Sequence, residues 1–260
     1  MRFNFPSLCF DGFYNDPDSV REFALSIDDY TNKIGYHPGL RSRLLLNYDE
    51  QFCRKSIHKF ISLFNDWGLE GATFECSTMF QKIWRFSSDP NDPVNTGWIH
   101  LDDDVDIAGV VYLDPNPDIN NGTSFYYPSF GKSVEEIETS TVRESREFIQ
   151  RSYDSGYVNV LEGDPPEYER ILGDKTSCCI DDIDWFRKNI VINNKQFELT
   201  MEIKNCYNRC IAYSGNQMHG QSNYWMPNED DFRLAQVFFI SNLKLPQNFI
   251  TAFRVNSYDV

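Results

Sequence analysis

The stretch Trp98-Ile99-His100-Leu101-Asp102 sets an imidazole and a carboxylate two residues apart. In an extended strand both project from one face, because side chains alternate with period two. Two metal donors are then already neighbours, and a third is expected from a distant strand. Of the three other histidines, His37, His58 and His219, the last is best placed, near the end of one β-like run and before another. Two histidines and one carboxylate on one face of a metal leave coordination positions open on the other, a ligand set that suits Fe(II). Fourteen residues after His219, Arg233 opens the strand-like Arg233-Leu-Ala-Gln-Val-Phe-Phe-Ile240. A guanidinium buried at the mouth of so apolar a run needs an anion, and a carboxylate matches its planar fork in a bidentate pair.

The order His100-x-Asp102, His219, Arg233 resembles the Fe(II)- and 2-oxoglutarate-dependent oxygenase superfamily, particularly its prolyl 4-hydroxylase-like branch, over roughly residues 75 to 240. Gly109-Val-Val-Tyr112-Leu113-Asp114 is similar to the family's next core strand. Gly122-Thr123-Ser124-Phe125 is similar to the Gly-Gly-x-x-x-Phe turn that follows, with Asn121 in place of the first glycine. Asp114 stands where asparagine is usual, and Val237 where relatives often carry a hydroxyl.

The resemblance implies a mainly β fold with flanking helices, a double-stranded β-helix or jelly roll of the cupin-like kind. It implies iron on His100, Asp102 and His219, the far carboxylate of 2-oxoglutarate on Arg233, and a cosubstrate hydrogen bond from Tyr112. Fe(II), 2-oxoglutarate and dioxygen are the cofactor and cosubstrates so implied. The reaction implied is hydroxylation of a C–H bond in a peptidyl or small-molecule substrate. Halogenating relatives replace the carboxylate ligand by a small residue; Asp102 is present. The rival reading is a non-catalytic jelly-roll module that binds metal or ligand, since fold does not fix function. Arg233 discriminates, because a structural metal site has no use for a carboxylate clamp. A zinc hydrolase with the same three ligands is the third reading.

Composition bounds these readings. One large domain spanning residues 1–260 is expected at this length, with amino-terminal helices over about 16–67 and an insertion over about 131–200. Aromatic residues at 15%, with 21 Phe, suit a core packed on pleated sheets. A net charge of −15 argues against a broad basic face for nucleic acid or anionic membrane. The seven cysteines form no zinc-like CxxC pairs, and reduced thiols in a cytoplasmic protein are the expectation. The amino terminus does not read as a signal peptide, and no run approaches the ~18 apolar residues of a membrane span. The sequon Asn121-Gly-Thr123 reads as an unmodified turn.

Along the chain, Phe3–Phe10 reads as a strand, and Asp16-Pro17 as the cap and first residue of a helix. Residues 36–41 read as a loop. From Tyr48 to Trp67 an apolar stripe of Phe52, Ile57, Phe60, Ile61 and Phe64 predicts a helix, with His58 on its solvated side. Residues 72–86 read as strands feeding the site. Asp103, Asp104 and Asp106 read as a solvated turn, with a hard-cation site as the alternative. Within 131–200, Ile180–Asn189 reads as a short helix, and Trp185, Phe186 and Arg187 are its candidate substrate contacts. Glu198–Tyr213 resumes strand character before Gly215-Asn216 turns the chain towards His219.

Overall fold

The computed structural model describes residues 6–31, 37–65, 69–102, 104–128 and 180–245. Strand β1 (Leu8–Phe10) precedes helix α1 (Pro17–Ser26), where the Asp16 carboxylate accepts the Ser19 amide at 3.1 Å and so satisfies a donor that the helix leaves free. Strand β2 (Leu40–Arg41) follows, then helix α2 (Glu50–Ser62). Leu45–Asn47 form a separate 3-10 turn and Asp49 caps α2 by accepting the Phe52 amide at 2.8 Å, so the helix opens two residues later than the apolar stripe suggests. Of its stripe Phe60, Ile61 and Phe64 are buried and Phe52 and Ile57 half-buried, while His58 is exposed. The helix ends at Ser62, short of the expected end at Trp67, a residue that lies outside the described ones.

The remaining elements are β3 (Thr73–Ile83), β4 (Ile107–Tyr112), β5 (Thr123–Pro128), α3 (Ile180–Asn194), β6 (Phe197–Ile203), β7 (Cys210–Ser214), β8 (His219–Gln221) and β9 (Arg233–Lys244). They form two antiparallel sheets, one of six strands in the order β1-β7-β4-β9-β3-β2 and one of three in the order β6-β5-β8. This is the mainly β, two-sheet arrangement of a jelly roll with helices outside; among the described residues the strands do not close into a barrel.

The larger sheet is covered on both sides, which is why all six residues of β4 are buried. Ile107 and Val111 face α1 and α2, while Ala108, Val110 and Tyr112 face the smaller sheet. Phe60 of α2 stacks on Phe238 of β9 at 4.5 Å, and a Cβ on Gly109 would sit 2.2 Å from the Phe60 ring. Glycine there lets the helix lie close against the strand. Complete burial of a side chain the size of Phe60 is worth about 1.5–3 kcal/mol.

Several expectations change in position. The first strand is confined to Leu8–Phe10 within the described residues. The loop expected over 36–41 ends in β2, whose residues pair with Lys82 and Gln81 of β3. The expected strand Glu198–Tyr213 is two strands in different sheets, β6 and β7, because the turn around Asn208, at φ 61, carries the chain across. Residues 131–179 of the expected insertion lie outside the described residues. Its final part is built into the fold: β6 pairs with β5 from Thr123↔Ile203 to Pro128↔Phe197, and α3 runs to Asn194. The cysteines 9, 53, 76, 206 and 210 are free thiols. No helix among the described residues is long and apolar enough to cross a membrane.

Candidate metal centre and cavity

The stretch Trp98–Asp102 does not form a continuous strand. It meets β8 through a single antiparallel bridge, His100↔His219, with the His100 amide donating to the His219 carbonyl at 2.9 Å and the reverse bond at 3.0 Å. Gly97 extends the contact by donating to the Gln221 carbonyl at 2.8 Å, and a Cβ on Gly97 would lie 2.3 Å from the Gln221 nitrogen. The approach therefore requires glycine. From the other side α3 fastens the same stretch: Asn194 Nδ2 donates to the Gly97 carbonyl at 2.9 Å and Asn193 Nδ2 to the Ile99 carbonyl at 3.1 Å.

This brings together the three donors expected from sequence. His100 Nε2 lies 3.7 Å from Asp102 Oδ1, His219 Nε2 lies 3.5 Å from Asp102 Oδ2, and the ligand atoms all fall within 4.8 Å of one another. Both imidazoles are oriented alike. His100 Nδ1 bonds the Trp98 carbonyl and His219 Nδ1 the Gln217 carbonyl, each at 2.8 Å. A carbonyl only accepts, so Nδ1 carries the proton and Nε2 keeps its lone pair towards the carboxylate. Burial pushes the His219 ring down to about 4, against the pull of Asp102, so it is neutral at neutral pH. Asp102 Oδ2 is buried with no hydrogen-bond partner. A buried anionic oxygen without a donor is costly, and a divalent cation between it and the two Nε2 lone pairs would satisfy it. The donor set fits such an ion.

The site opens into a cavity of about 940 Å³ between the sheets. Arg233 lines it, 6% exposed, with Nη1 donating to the Asn121 carbonyl at 3.4 Å and Nε buried without a partner. Its guanidinium lies 5.5 Å over the Tyr112 ring. Tyr112 itself is fully buried and does not line the cavity. Its hydroxyl is paired at 2.8 Å with that of Thr123, which does line it, and burial raises its pKa so that it stays protonated. Asn121 is buried and donates from its side chain to the Trp225 carbonyl at 3.0 Å, in keeping with an unmodified turn. Of the substrate contacts expected on α3, Phe186 lines the cavity, whereas Arg187 is engaged by Asp92 in a bidentate pair at 3.0 and 2.9 Å. Nothing is described of the Trp185 side chain.

Of the acidic run after Asp102, Asp106 accepts the Leu243 amide at 2.9 Å and Asp104 adopts φ 59; the described residues offer no second group of metal donors. Asp103 lies outside the described residues. Arg41, Thr123, Tyr213 and Tyr224 also line the cavity, and no catalytic or binding role was read for them in the sequence. Tyr213 packs its ring 4.6 Å from that of His219, and burial holds its hydroxyl protonated. The alternation of β7 carried a signal for it, since Ile211 and Tyr213 share the face opposite to Cys210 and Ala212.

No family model matches this chain, and no curated protein matches it. Among solved structures the chain is similar to HygX from Streptomyces hygroscopicus with nickel and 2-oxoglutarate bound, at 13% identity and a TM-score of 0.46, covering 90% of this chain and 82% of that one. It is similar at 11% identity and a TM-score of 0.47 to a prolyl hydroxylase from Trichoplax adhaerens, with 90% and 83% covered. It is also similar to AviO1 from Streptomyces viridochromogenes, at 11% identity and 0.44, with 94% and 92% covered. At these identities and TM-scores the likeness assigns no role to any residue.

Proposed function

We propose that the chain is an Fe(II)- and 2-oxoglutarate-dependent oxygenase that oxidises a C–H bond of a small-molecule or peptidyl substrate. One observation carries this reading: a buried carboxylate oxygen and two Nε2 lone pairs converge without a donor among them, in the same cavity as a buried guanidinium with an unpartnered Nε. The first set asks for a cation and the second for an anion. A metal with a carboxylate cosubstrate answers both, whereas a structural metal alone leaves Arg233 unexplained.

On this reading His100, Asp102 and His219 are the iron ligands, and the Trp98 and Gln217 carbonyls fix the imidazoles in the tautomer that ligates. Arg233 holds the far carboxylate of 2-oxoglutarate, and its place over the Tyr112 ring fixes the direction of its fork. Tyr112 acts at one remove, by holding the Thr123 hydroxyl at the cavity wall. Bound iron and 2-oxoglutarate supply activation of dioxygen and oxidation of the substrate, with succinate and carbon dioxide released. Phe86, Trp98 and Phe186 pack together as an aromatic part of the cavity wall.

Anaerobic titration of the Fe(II)-loaded protein with 2-oxoglutarate tests the reading. A visible charge-transfer band of the chelate is expected, saturable and lost in His219→Ala. A folded, iron-loaded protein that develops no band would return the chain to the non-catalytic binding module.

A further inference from the structure

Arg41 is the cation on the cavity wall that iron and cosubstrate binding leaves unused. It stands on the two-residue edge strand β2, opposite Gln81, which is opposite Ala235 on β9. Its face of the sheet is therefore that of Gln81, Ala235, Val237 and Phe239, the face that looks into the cavity. The guanidinium lies 5.2 Å over the Phe239 ring, and Nη2 reaches Gln81 Oε1 only at 3.5 Å. Nε is buried without a partner, and no carboxylate lies within ion-pair distance among the described residues. Burial depresses the group to about 10, with Asp102 pulling the other way, so it remains protonated at neutral pH.

Arg41 and Arg233 are anchored on different rings. Arg233 lies over Tyr112, which pairs with Ala235, whereas Arg41 lies over Phe239. Four positions of β9 separate the backbone of Ala235 from that of Phe239, roughly 13 Å at a strand's rise per residue. Asp102 is the charge that acts most on Arg41. The balance of charge leaves room for a second anion. Two guanidiniums and a divalent metal face a single carboxylate, Asp102, among the charged groups of the wall. The dianionic cosubstrate removes two of the three surplus positive charges and leaves one.

We propose that Arg41 binds a carboxylate of the prime substrate, so that the substrate is a small organic acid bearing one negative charge. The inference rests on the preceding assignment of the metal ligands and of Arg233. A single carboxylate matches one guanidinium fork, whereas a phosphate dianion would ask for a second cation beside it. Gln81, the polar neighbour, donates through Nε2 to the Pro38 carbonyl at 2.7 Å and turns Oε1 to Arg41, so it adds no positive charge beside the guanidinium. Phe86, Trp98, Phe186 and Phe239 give the same cavity apolar wall, which suits the hydrocarbon part of such an acid.

The test uses the protein loaded anaerobically with Fe(II) and 2-oxoglutarate. The probes are benzoate, 3-phenylpropionate and hexanoate, each paired with its primary amide. Binding is read from perturbation of the charge-transfer band and, independently, from the thermal midpoint of the Zn(II)-loaded protein. At least one acid is expected to bind tenfold or more tightly than its amide. Arg41→Gln should erase that preference while leaving 2-oxoglutarate affinity within about threefold, and Arg41→Lys should restore part of it. Acids and amides bound equally, or not at all, by the parent protein overturn the proposal without recourse to a variant. So does a tenfold loss of 2-oxoglutarate affinity in Arg41→Gln, which would make Arg41 a cosubstrate residue. Absence of the band with acid preference retained in the thermal assay would strike the cosubstrate assignment instead.

Discussion

His100 and His219 exchange both backbone hydrogen bonds across one antiparallel bridge, and each ring is held through Nδ1 by the carbonyl two residues before it. The two halves of the metal site are thus locally equivalent although 119 residues apart. Their ring centroids lie 4.5 Å apart. This orientation is set by main-chain groups.

Ligation should therefore depend on each of the three side chains and on no other histidine in the same way. His100→Ala, Asp102→Ala and His219→Ala are each expected to weaken Fe(II) at least ~100-fold, since even loss of a group supporting a ligand costs ~10–100-fold. The exposed His58→Ala should leave affinity unchanged. Calorimetric Fe(II) titrations under nitrogen decide it; parental affinity in His219→Ala would remove that residue from the site.

Arg233→Gln should keep Fe(II) affinity and lose cosubstrate affinity. Removing one partner of a buried charged pair costs ~2–4 kcal/mol, or ~30- to 700-fold in affinity. Equilibrium binding of 2-oxoglutarate to the Zn(II)-loaded variant measures this directly. An unchanged dissociation constant would move the clamp to another cation, and Arg41 would be examined first.

The ligands were legible because their spacing and order are local facts: a two-residue interval, a turn before His219, an arginine heading an apolar run. The helix over 50–62 was legible for the same reason, since one face of Phe and Ile repeats at helical spacing. Arg41 was not legible. Its strand is two residues long, and its place in the cavity follows from pairing with Gln81, forty residues on. Nor was the role of α3, whose Asn193 and Asn194 hold the His100 stretch from 93 or more residues away. Polar residues at a helix end carry no mark that distinguishes a long-range clamp from a solvated turn. The strand expected at Trp98–Asp102 became a bridge because β8, its neighbour, is only three residues long.

Gly97 links that geometry to metal binding. An added Cβ would meet Gln221 backbone atoms at 2.3 and 2.4 Å, with no flexible side chain to move aside. Gly97→Ala should cost about 1–3 kcal/mol of stability by overpacking and should also reduce Fe(II) affinity, because the strained contact lies three residues from His100. Gly12→Ala is the control: at φ 73 it carries backbone strain but meets nothing within 4 Å and lies away from the cavity. It should lower the thermal midpoint and spare Fe(II) binding. Equal metal affinity in Gly97→Ala and the parent would show that the bridge does not set ligand geometry.

Asp114, the residue after Leu113 at the end of β4, gives a pH dependence whose sign is set by burial. Its carboxylate accepts the Leu234 amide at 3.0 Å and lies 3.5 Å from Arg21, yet desolvation outweighs both and raises its pKa from 3.8 to about 6. Its side chain is 15% exposed, so solvent screens little of this. A folded-state pKa above the unfolded one means that the folded protein keeps a proton which the unfolded chain has released. The associated stability is fully present below about 3.8 and is lost as pH rises through about 6. Asn at this position still accepts from Leu234 and carries no charge to desolvate. Asp114→Asn should therefore be more stable than the parent by about 1–3 kcal/mol at pH 7.5, with the difference shrinking towards zero near pH 4. His219 titrates in the opposite sense, since its folded value of about 4 lies below 6.5 and both proteins lose stability as pH falls through that interval. Both retain His219, so its contribution cancels in the difference. Urea denaturation of the metal-free proteins at pH 4.5, 6 and 7.5 isolates the Asp114 effect, and a difference independent of pH would mean that the Arg21 pair and the Leu234 bond already offset the burial of this carboxylate.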